Sequence, residues 1–300
     1  MRMSRTVQGA LCLTASAFGF ALMAFFVRLC DDFGGSISSF QKSFFRNLIA
    51  LFIALFTFIC AYRKGEIDFS TVKGKPHAQG ALLLRSLFGT IGIFGNFYAL
   101  SRIPIGEAMT LNKTAPFFTV LFSSLFLRER MSFRQILALV TAFIGATLVM
   151  KPGFRGMETF ATISALLGGL GAGLAYTCVH YLGQRKVSGS IIIFFFSLFS
   201  CFAALPFVAC DYCPMSGAQF LILVGAGCSA AIGQFGVTAA YRLTEPRKIA
   251  IFDYSNIIFA SLLGWFFFEQ MPDRLSFIGF AVIICAALIL MSARRAVPRA

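Results

Sequence analysis

The sequence predicts an all-α integral membrane protein with ten transmembrane helices, arranged as two inverted five-helix repeats around a central cavity. Three observations support this fold class. Of the 300 residues, 58% are hydrophobic and only 13% are charged, which leaves too little polar surface to cover a soluble globule. Ten apolar runs are each long enough to cross a bilayer core of about 30 Å. The second half of the chain also repeats part of the first at a fixed offset.

The ten runs are predicted to be helices, because a backbone in lipid must satisfy its own hydrogen bonds. Charges, glycines and prolines separate them, and no break is long enough to form a soluble domain. The predicted spans cover residues 7–28, 37–61, 80–100, 104–127, 133–151, 160–181, 189–209, 217–240, 248–268 and 275–292.

The first span has some features of a secretory signal, since two arginines precede it and small residues occur at Ala15 to Ala17. Its apolar run continues to about Val27, however, which is longer than a signal core. Nine further spans follow it. We therefore predict that the first span is a retained transmembrane helix.

The net charge of +14 is explained by membrane topology rather than by nucleic acid binding. If the N-terminus is cytoplasmic, 17 of the 26 lysines and arginines lie at cytoplasmic helix ends and five at the opposite ends. The positive-inside rule then places both termini in the cytoplasm. We expect the protein in the inner (plasma) membrane as a multi-pass protein. The short loops offer no basic face for a nucleic acid, so we expect no nucleic acid partner.

Four cations fall inside predicted spans: Lys42, Arg46, Arg85 and Lys113. A cation near the bilayer centre costs at least about 2.5 kcal/mol, so it usually faces a cavity or the bundle interior. Arg85 and Lys42 lie close enough to helix ends for their side chains to reach the headgroups instead. Lys113 and Arg46 lie deeper, which favours a role for them in a cavity.

An internal repeat constrains the architecture further. An offset of 140 residues aligns Phe126 with Phe266, Glu129 with Glu269, Met131 with Met271 and Arg134 with Arg274. We therefore predict two domains of five spans each, residues 7–151 and 160–292. An odd number of spans forces opposite orientations on the two repeats, a design common in transporters that work by alternating access.

The run from Tyr98 to Met150 carries a family resemblance. It contains a mid-helix proline (Pro116), a glutamate at the helix end (Glu129), and then Gln135 and Gly145 in the next helix. These features resemble the fourth and fifth helices of the EamA family in the drug/metabolite transporter superfamily. The run FFRNLIAL at residues 44–51 is similar to the arginine-bearing second helix of that family.

The resemblance covers the chain as two EamA units and is specific for fold but not for cargo. It implies a ten-helix inner-membrane carrier with a central cavity between inverted halves, in a family that moves amino acids, nucleoside-like metabolites and cations. The second repeat matches more weakly, with Asn256 where Pro116 maps. Whether the ninth helix bends as the fourth does is therefore open.

Pro116 removes a backbone donor and is expected to weaken the helix just beyond Lys113. The offset of 140 places Asp253 opposite Lys113, but inverted repeats put the two residues at mirrored depths. We therefore expect Arg85 to pair with Asp253 and Arg46 with Glu107. Lys113 is then left for a ligand.

Polar side chains at helical spacing mark the remaining candidates. Arg85, Gly89, Gly92 and Asn96 form one stripe on the third span, and Gln234 lies on a similar stripe of the eighth. The glycines serve equally well for close helix packing. Tyrosines offer stacking surfaces for a planar cargo, although packing also explains them. The predicted substrate-binding set is Lys113, Arg46, Asn96, Arg85, Asp253, Gln234, Tyr98, Tyr176 and Asn256.

The sequence contains few of the residue groups that catalysis or metal binding requires. The nine cysteines form no ligand cluster, and only Cys210 and Cys213 make a Cys-x-x-Cys pair, for which a disulfide or redox role is conceivable. The two histidines, His77 and His180, have no evident carboxylate partner in the sequence, and acids are few. We predict no enzyme activity, no cofactor and no metal; a membrane enzyme and a non-transporting membrane protein are the alternatives from other classes.

The charges within the spans indicate the cargo. Four cations against Glu107 and Asp253 leave about two positive charges in excess. This favours a carboxylate-bearing or zwitterionic solute, such as an amino acid or an S-adenosylmethionine-like compound. The predicted partners are thus a small-molecule substrate and the lipid bilayer. A coupling proton and a counter-substrate are both compatible with this architecture, as is export of other metabolites or drugs.

Overall fold

The computed structural model describes residues 4–33, 37–67, 69–100, 102–103, 105–129, 131–151, 158–269 and 271–292. Within these residues the chain forms twelve α-helices and two short 3-10 segments, Phe69–Thr71 and Ala250–Tyr254, with no β-strand. The helices are α1 Arg5–Asp32, α2 Ser39–Arg63, α3 Pro76–Leu100, α4 Ile105–Asn112, α5 Ala115–Leu127, α6 Phe133–Met150, α7 Thr159–Gln184, α8 Gly189–Cys210, α9 Gly217–Leu243, α10 Pro246–Ile249, α11 Ser255–Phe268 and α12 Arg274–Ser292.

These helices account for the ten predicted spans. Eight helical stretches are long and apolar enough to cross a bilayer, when Pro246–Phe268 is counted as one, and the apolar helices Ala115–Leu127 and Arg274–Ile289 are shorter. α4 leads directly into α5 and completes the fourth span. Large apolar side chains such as Phe52, Phe126 and Phe202 are exposed on the outside of the bundle, as expected of a protein whose outer surface contacts lipid.

The two halves pack around a pseudo-two-fold axis. The first helix of each half lies on the third long helix of the other half, so α1 packs on α9 and α7 packs on α3. The second helices, α2 and α8, pack on each other, and so do the last helices, α6 and α12. The packing is therefore reciprocal, and each half needs the other to cover its helices.

Small residues allow these crossings to be close. A Cβ atom added at Gly92 would lie 3.1 Å from the backbone nitrogen of Ala172 on α7. On the other crossing, a Cβ at Gly19 would lie 2.7 Å from the backbone nitrogen of Gly233. Gly92 therefore allows close helix packing, and it also lines the cavity described below.

The fourth span breaks at Lys113 and Thr114, between α4 and α5. Pro116 lies in the first turn of α5, where its missing N–H is tolerated, so the helix restarts just before the proline. The ninth span changes at the corresponding place from α10 to the 3-10 segment Ala250–Tyr254 before α11 begins. Both spans therefore lose regular α geometry, although only the fourth has a proline at the break.

One part of the family pattern has a structural explanation. Ser132 and Gln135 form a capping box at the start of α6, in which each side chain accepts a hydrogen bond from the backbone N–H of the other. Gln135 therefore stabilises a helix start at the end of the bundle.

Candidate functional site

A cavity of about 480 Å³ lies between the two halves. Residues from α1, α2, α3, α4, α5, α7, α8, α9 and α11 line it. It reaches the end of the bundle where α1 ends and α2 begins, at Arg28, Lys42 and Phe268. We call this the α1–α2 end.

The opposite end of the bundle is filled by side chains. Leu182, Ile192, Tyr241 and Ile249 are at most 1% exposed and belong to one hydrophobic cluster there. The structure is therefore open toward the α1–α2 end and closed at the other, which we call the packed end.

Arg85 projects from α3 into the cavity and is 2% exposed. It donates a hydrogen bond from Nη2 to Oε1 of Gln234, 3.2 Å away, and its guanidinium lies 4.0 Å from the centre of the Phe196 ring. The expected pairing of Arg85 with Asp253 is therefore wrong. The two residues match in depth, but α3 packs on α7 and α8, whereas the 3-10 segment of Asp253 packs on α1, α5 and α6.

Arg46 enters the same cavity from α2 and is 4% exposed. It makes no hydrogen bond or ion pair with any described residue, and its Nε is buried without a partner among them. The side chain of Glu107, its expected partner, lies outside the described residues. Tyr176 lies near enough to interact electrostatically with both Arg46 and Arg85.

Lys113 and Asp253 form an ion pair, with Nζ 3.0 Å from Oδ2. The expectation that Lys113 is left unpaired for a ligand is therefore wrong. Each residue lies about 13 Å from its own face of a bilayer core that is about 30 Å thick. The two are therefore separated in depth by only about 4 Å, a gap that their side chains can span. Nζ also lies 3.4 Å from the backbone oxygen of Asp253.

The remaining candidates divide between the cavity and its surroundings. Asn256 lines the cavity and donates a hydrogen bond to the backbone oxygen of Ala17, 2.9 Å away. Asn96 also lines it, and its Oδ1 is buried without a described partner. Tyr98 does not line the cavity. Its ring packs edge-to-face on Phe160, and the guanidinium of Arg102 lies over its face. The members of the predicted set that line the cavity are Lys113, Arg46, Asn96, Arg85, Asp253, Gln234, Tyr176 and Asn256.

Two features of the site were missed by sequence reasoning. Phe196 supports the Arg85 guanidinium, but it ends the run Phe194 to Phe196, in which nothing distinguishes a cavity ring from a lipid-facing one. His180 was expected to lack a carboxylate partner, yet its Nε2 lies 2.8 Å from Oε1 of Glu129. The two residues are 51 positions apart, so no local pattern connects them.

In the described part of the chain, no group of three His, Cys, Asp or Glu residues is placed to hold a metal. All nine cysteines are free thiols, including Cys210 and Cys213.

Comparison with known proteins shows which family this chain resembles. Residues 7–151 match the model of the EamA-like transporter family. The EamA resemblance is confirmed. This EamA-like chain is 26% identical over 289 residues to the pseudopaline exporter of Pseudomonas aeruginosa, covering 96% of this chain and 97% of the exporter. It is 28% identical over 218 residues to the riboflavin transporter of Brucella anthropi, covering 71% of this chain and 76% of that protein.

A solved crystal structure shares the fold with a TM-score of 0.77 and 16% sequence identity, covering 94% of this chain and 99% of that chain. An uncharacterized transporter of Helicobacter pylori is 24% identical over 280 residues. This EamA-like chain is thus a multi-pass membrane transporter, and the transporter relatives support a role other than catalysis.

Proposed function

We propose that this chain is a secondary transporter that moves a small carboxylate-bearing or zwitterionic metabolite by alternating access. The observation that carries the proposal is the charge of the cavity. Arg46 and Arg85 bring two buried guanidinium groups into it, and neither forms an ion pair with a described carboxylate. The described carboxylate in the lining, Asp253, is already paired with Lys113.

Buried cations without ion-pair partners favour an anionic ligand, because a charge removed from water is stabilised by an opposite charge that hydrogen-bonds to it. Guanidinium groups suit carboxylates in particular, since their N–H groups match both oxygens. The Lys113–Asp253 pair and the amides of Asn96 and Asn256 add donors and acceptors for the rest of the ligand. An amino acid or an S-adenosylmethionine-like compound has this distribution of charge.

The shape of the cavity supports a small cargo. A volume of about 480 Å³ lies within the usual range of about 300 to 1,000 Å³ for small-molecule sites. A cavity open at one end and packed at the other is what one state of an alternating-access cycle requires. The charge bias of the loops supports an inner-membrane location with both termini cytoplasmic, which makes this the outward-open state.

The domains proposed for this transporter are the two repeats, residues 7–151 and 160–292. Export of another metabolite or drug in the same fold is the second candidate function, and the pseudopaline exporter among the relatives favours the export direction.

A thermal-shift screen of the purified protein tests the charge preference, because a ligand that binds only the folded state raises the melting temperature. Each amino acid is paired with the amine that lacks only its carboxylate, and S-adenosylmethionine is paired with its decarboxylated form. We expect stabilisation by carboxylate-bearing members and none by their matched amines. Stabilisation by the amines alone would overturn the proposed cargo class. For a carboxylate-bearing compound that stabilises the protein, flux into vesicles containing the protein would establish transport.

A further inference from the structure

The packed end contains a buried polar cluster that the cavity does not use. Glu129 follows α5 in the first repeat, and His180 lies near the end of α7 in the second. Their side chains are 9% and 5% exposed. Nδ1 of His180 lies 2.7 Å from the backbone oxygen of Tyr241 on α9, and Nε2 lies 2.8 Å from Oε1 of Glu129.

The geometry determines how many protons this cluster contains. A backbone oxygen only accepts hydrogen bonds, so Nδ1 of His180 must carry a proton. In a neutral ring the other nitrogen, Nε2, then presents a lone pair to Glu129. An ionised carboxylate also presents lone pairs, and two lone pairs 2.8 Å apart repel each other. One further proton between Nε2 and Oε1 is therefore needed for this contact.

We propose that His180 and Glu129 form a buried proton-binding site that joins the two repeats at the packed end. The proton lies either on Nε2, giving an imidazolium and a carboxylate, or on Oε1, giving a neutral pair. Both arrangements contain the same bound proton. Oε2 of Glu129 is buried without a partner among the described residues, which is less costly for a neutral carboxyl group than for a carboxylate.

The site also has an arrangement for the state without the proton. Nε2 of Gln184 lies 3.1 Å from Nε2 of His180, one helical turn away on α7. Glu129 and the Gln184 amide both face the same ring nitrogen in this structure, so an imidazolium requires the Gln184 amide to turn its oxygen toward Nε2. Without the proton, an amide N–H of Gln184 can donate to the lone pair of the ring, so the ring retains a partner while Glu129 loses one. Loss of the proton therefore removes one polar contact between the two repeats at this end.

Cations on the neighbouring elements oppose proton retention, because they favour the ionised carboxylate and the neutral ring. Two of them, Arg247 and Lys248 on α10, are held by ion pairs with Glu245. Arg242 on α9 lies against Gly183, one turn beyond His180, with its Nε buried without a described partner. The titratable and charged groups on the elements packed against the site, or next to it in the chain, are Tyr241 and Arg242 on α9, Glu245, Arg247 and Lys248 at α10, which packs on α5, Arg128 before Glu129, and Arg185 and Lys186 after α7.

The position of the site relates the proton to alternating access. The cavity opens at the α1–α2 end while the proton site closes the packed end, so binding of the proton favours the state seen here. This makes a proton the coupling ion of the transport cycle, a role that rests on the proposed function. The presence of the proton itself is tested without any cargo.

Histidine nitrogen NMR tests the site directly, because the chain has only two histidines. His77 is exposed at the start of α3, and the variant His77→Gln leaves His180 as the single histidine. We expect a proton on Nδ1 of His180 and a second proton shared between Nε2 and Glu129. A neutral ring protonated only at Nε2 would overturn the proposal, since Glu129 would then need no extra proton.

Glu129→Gln provides the second test, because the Gln amide donates to Nε2 without an extra proton. In this variant, made on the His77→Gln background, the shared proton should be absent while the proton on Nδ1 remains. Nitrogen signals of His180 that are unchanged by Glu129→Gln would refute the site.

Discussion

Lys113 and Asp253, which are 140 positions apart, form an ion pair of 3.0 Å where the two irregular spans meet. Lys113 lies at the break between α4 and α5, and Asp253 lies in the 3-10 segment before α11. A second contact reinforces the first, because the hydroxyl of Tyr254 donates to the backbone oxygen of Lys113 over 3.1 Å. The weakest points of the two spans are therefore tied to each other across the repeats.

Removal of one partner should destabilise the protein. Lys113→Ala leaves the partly buried Asp253 carboxylate unpaired, and the cost of about 3 to 5 kcal/mol for a fully buried pair is an upper bound here. We expect a clear fall in melting temperature for Lys113→Ala and for Asp253→Ala. The double variant should lose less than the sum of the two, because neither charge is left alone. Additive losses would contradict the ion pair.

Arg46 should matter for ligand binding more than for folding. It forms no ion pair with a described residue, so Arg46→Gln strands no partner. Arg46→Gln should remove a charge-assisted hydrogen bond to the ligand, which contributes about 1.5 to 3 kcal/mol. The dissociation constant of the ligand should therefore rise roughly 10- to 150-fold. Titration of a carboxylate ligand found by thermal shift measures this change. Arg102→Gln, at an exposed position outside the cavity lining, is the control and should bind normally.

Gly89 provides room for the Arg85 side chain, and a methyl group there should disturb the site. A Cβ atom at Gly89 would overlap the Arg85 guanidinium and lie 2.7 Å from the Phe196 ring. Gly89→Ala should therefore displace Arg85 and weaken carboxylate binding. Gly80→Ala on the same helix is the matched control, because a Cβ there meets nothing within 4 Å. It should bind normally and be unchanged or slightly more stable, since alanine favours helix by up to about 1 kcal/mol. Equal binding by both variants would argue against this position for Arg85.

An exposed ion pair at the α1–α2 end gives a pH-dependent contact. Lys151, which caps α6, pairs with Asp273, which precedes α12. The Lys151 ammonium and hydrogen bonds from Ser276 lower the pKa of Asp273 from its ordinary value to about 2. Because this pKa is depressed, the contribution to stability is present above the ordinary value of 3.8 and is lost as the pH falls toward about 2. NMR of the Asp273 carboxyl carbon measures this pKa. In Lys151→Ala, which lacks the ammonium group, the pKa of Asp273 should rise toward its ordinary value. The same pKa in the variant and the parent would contradict the ion pair.

Several properties follow from local sequence alone. Apolar runs of about 20 residues require helices in lipid whatever their neighbours are, so the ten spans were predictable near their observed bounds. Charged residues deep in an apolar span are costly wherever the span packs, so Arg46 and Lys113 could be placed in the interior from the sequence, whereas Arg85 lay close enough to a helix end to reach the headgroups as well. The break beside Pro116 was also predictable, because the ring removes a backbone donor at a known position.

Only the tertiary structure decided which of these groups meet. Depth follows from position along a helix, but the direction in which a side chain faces depends on rotation and on the packing of glycine-rich crossings such as Gly92 on Ala172. Arg85 therefore met Gln234 and Phe196 instead of Asp253, and Lys113 met Asp253. His180 and Glu129 came together across the repeats for the same reason: a contact between helices is fixed by how their whole surfaces fit, which no single helix contains.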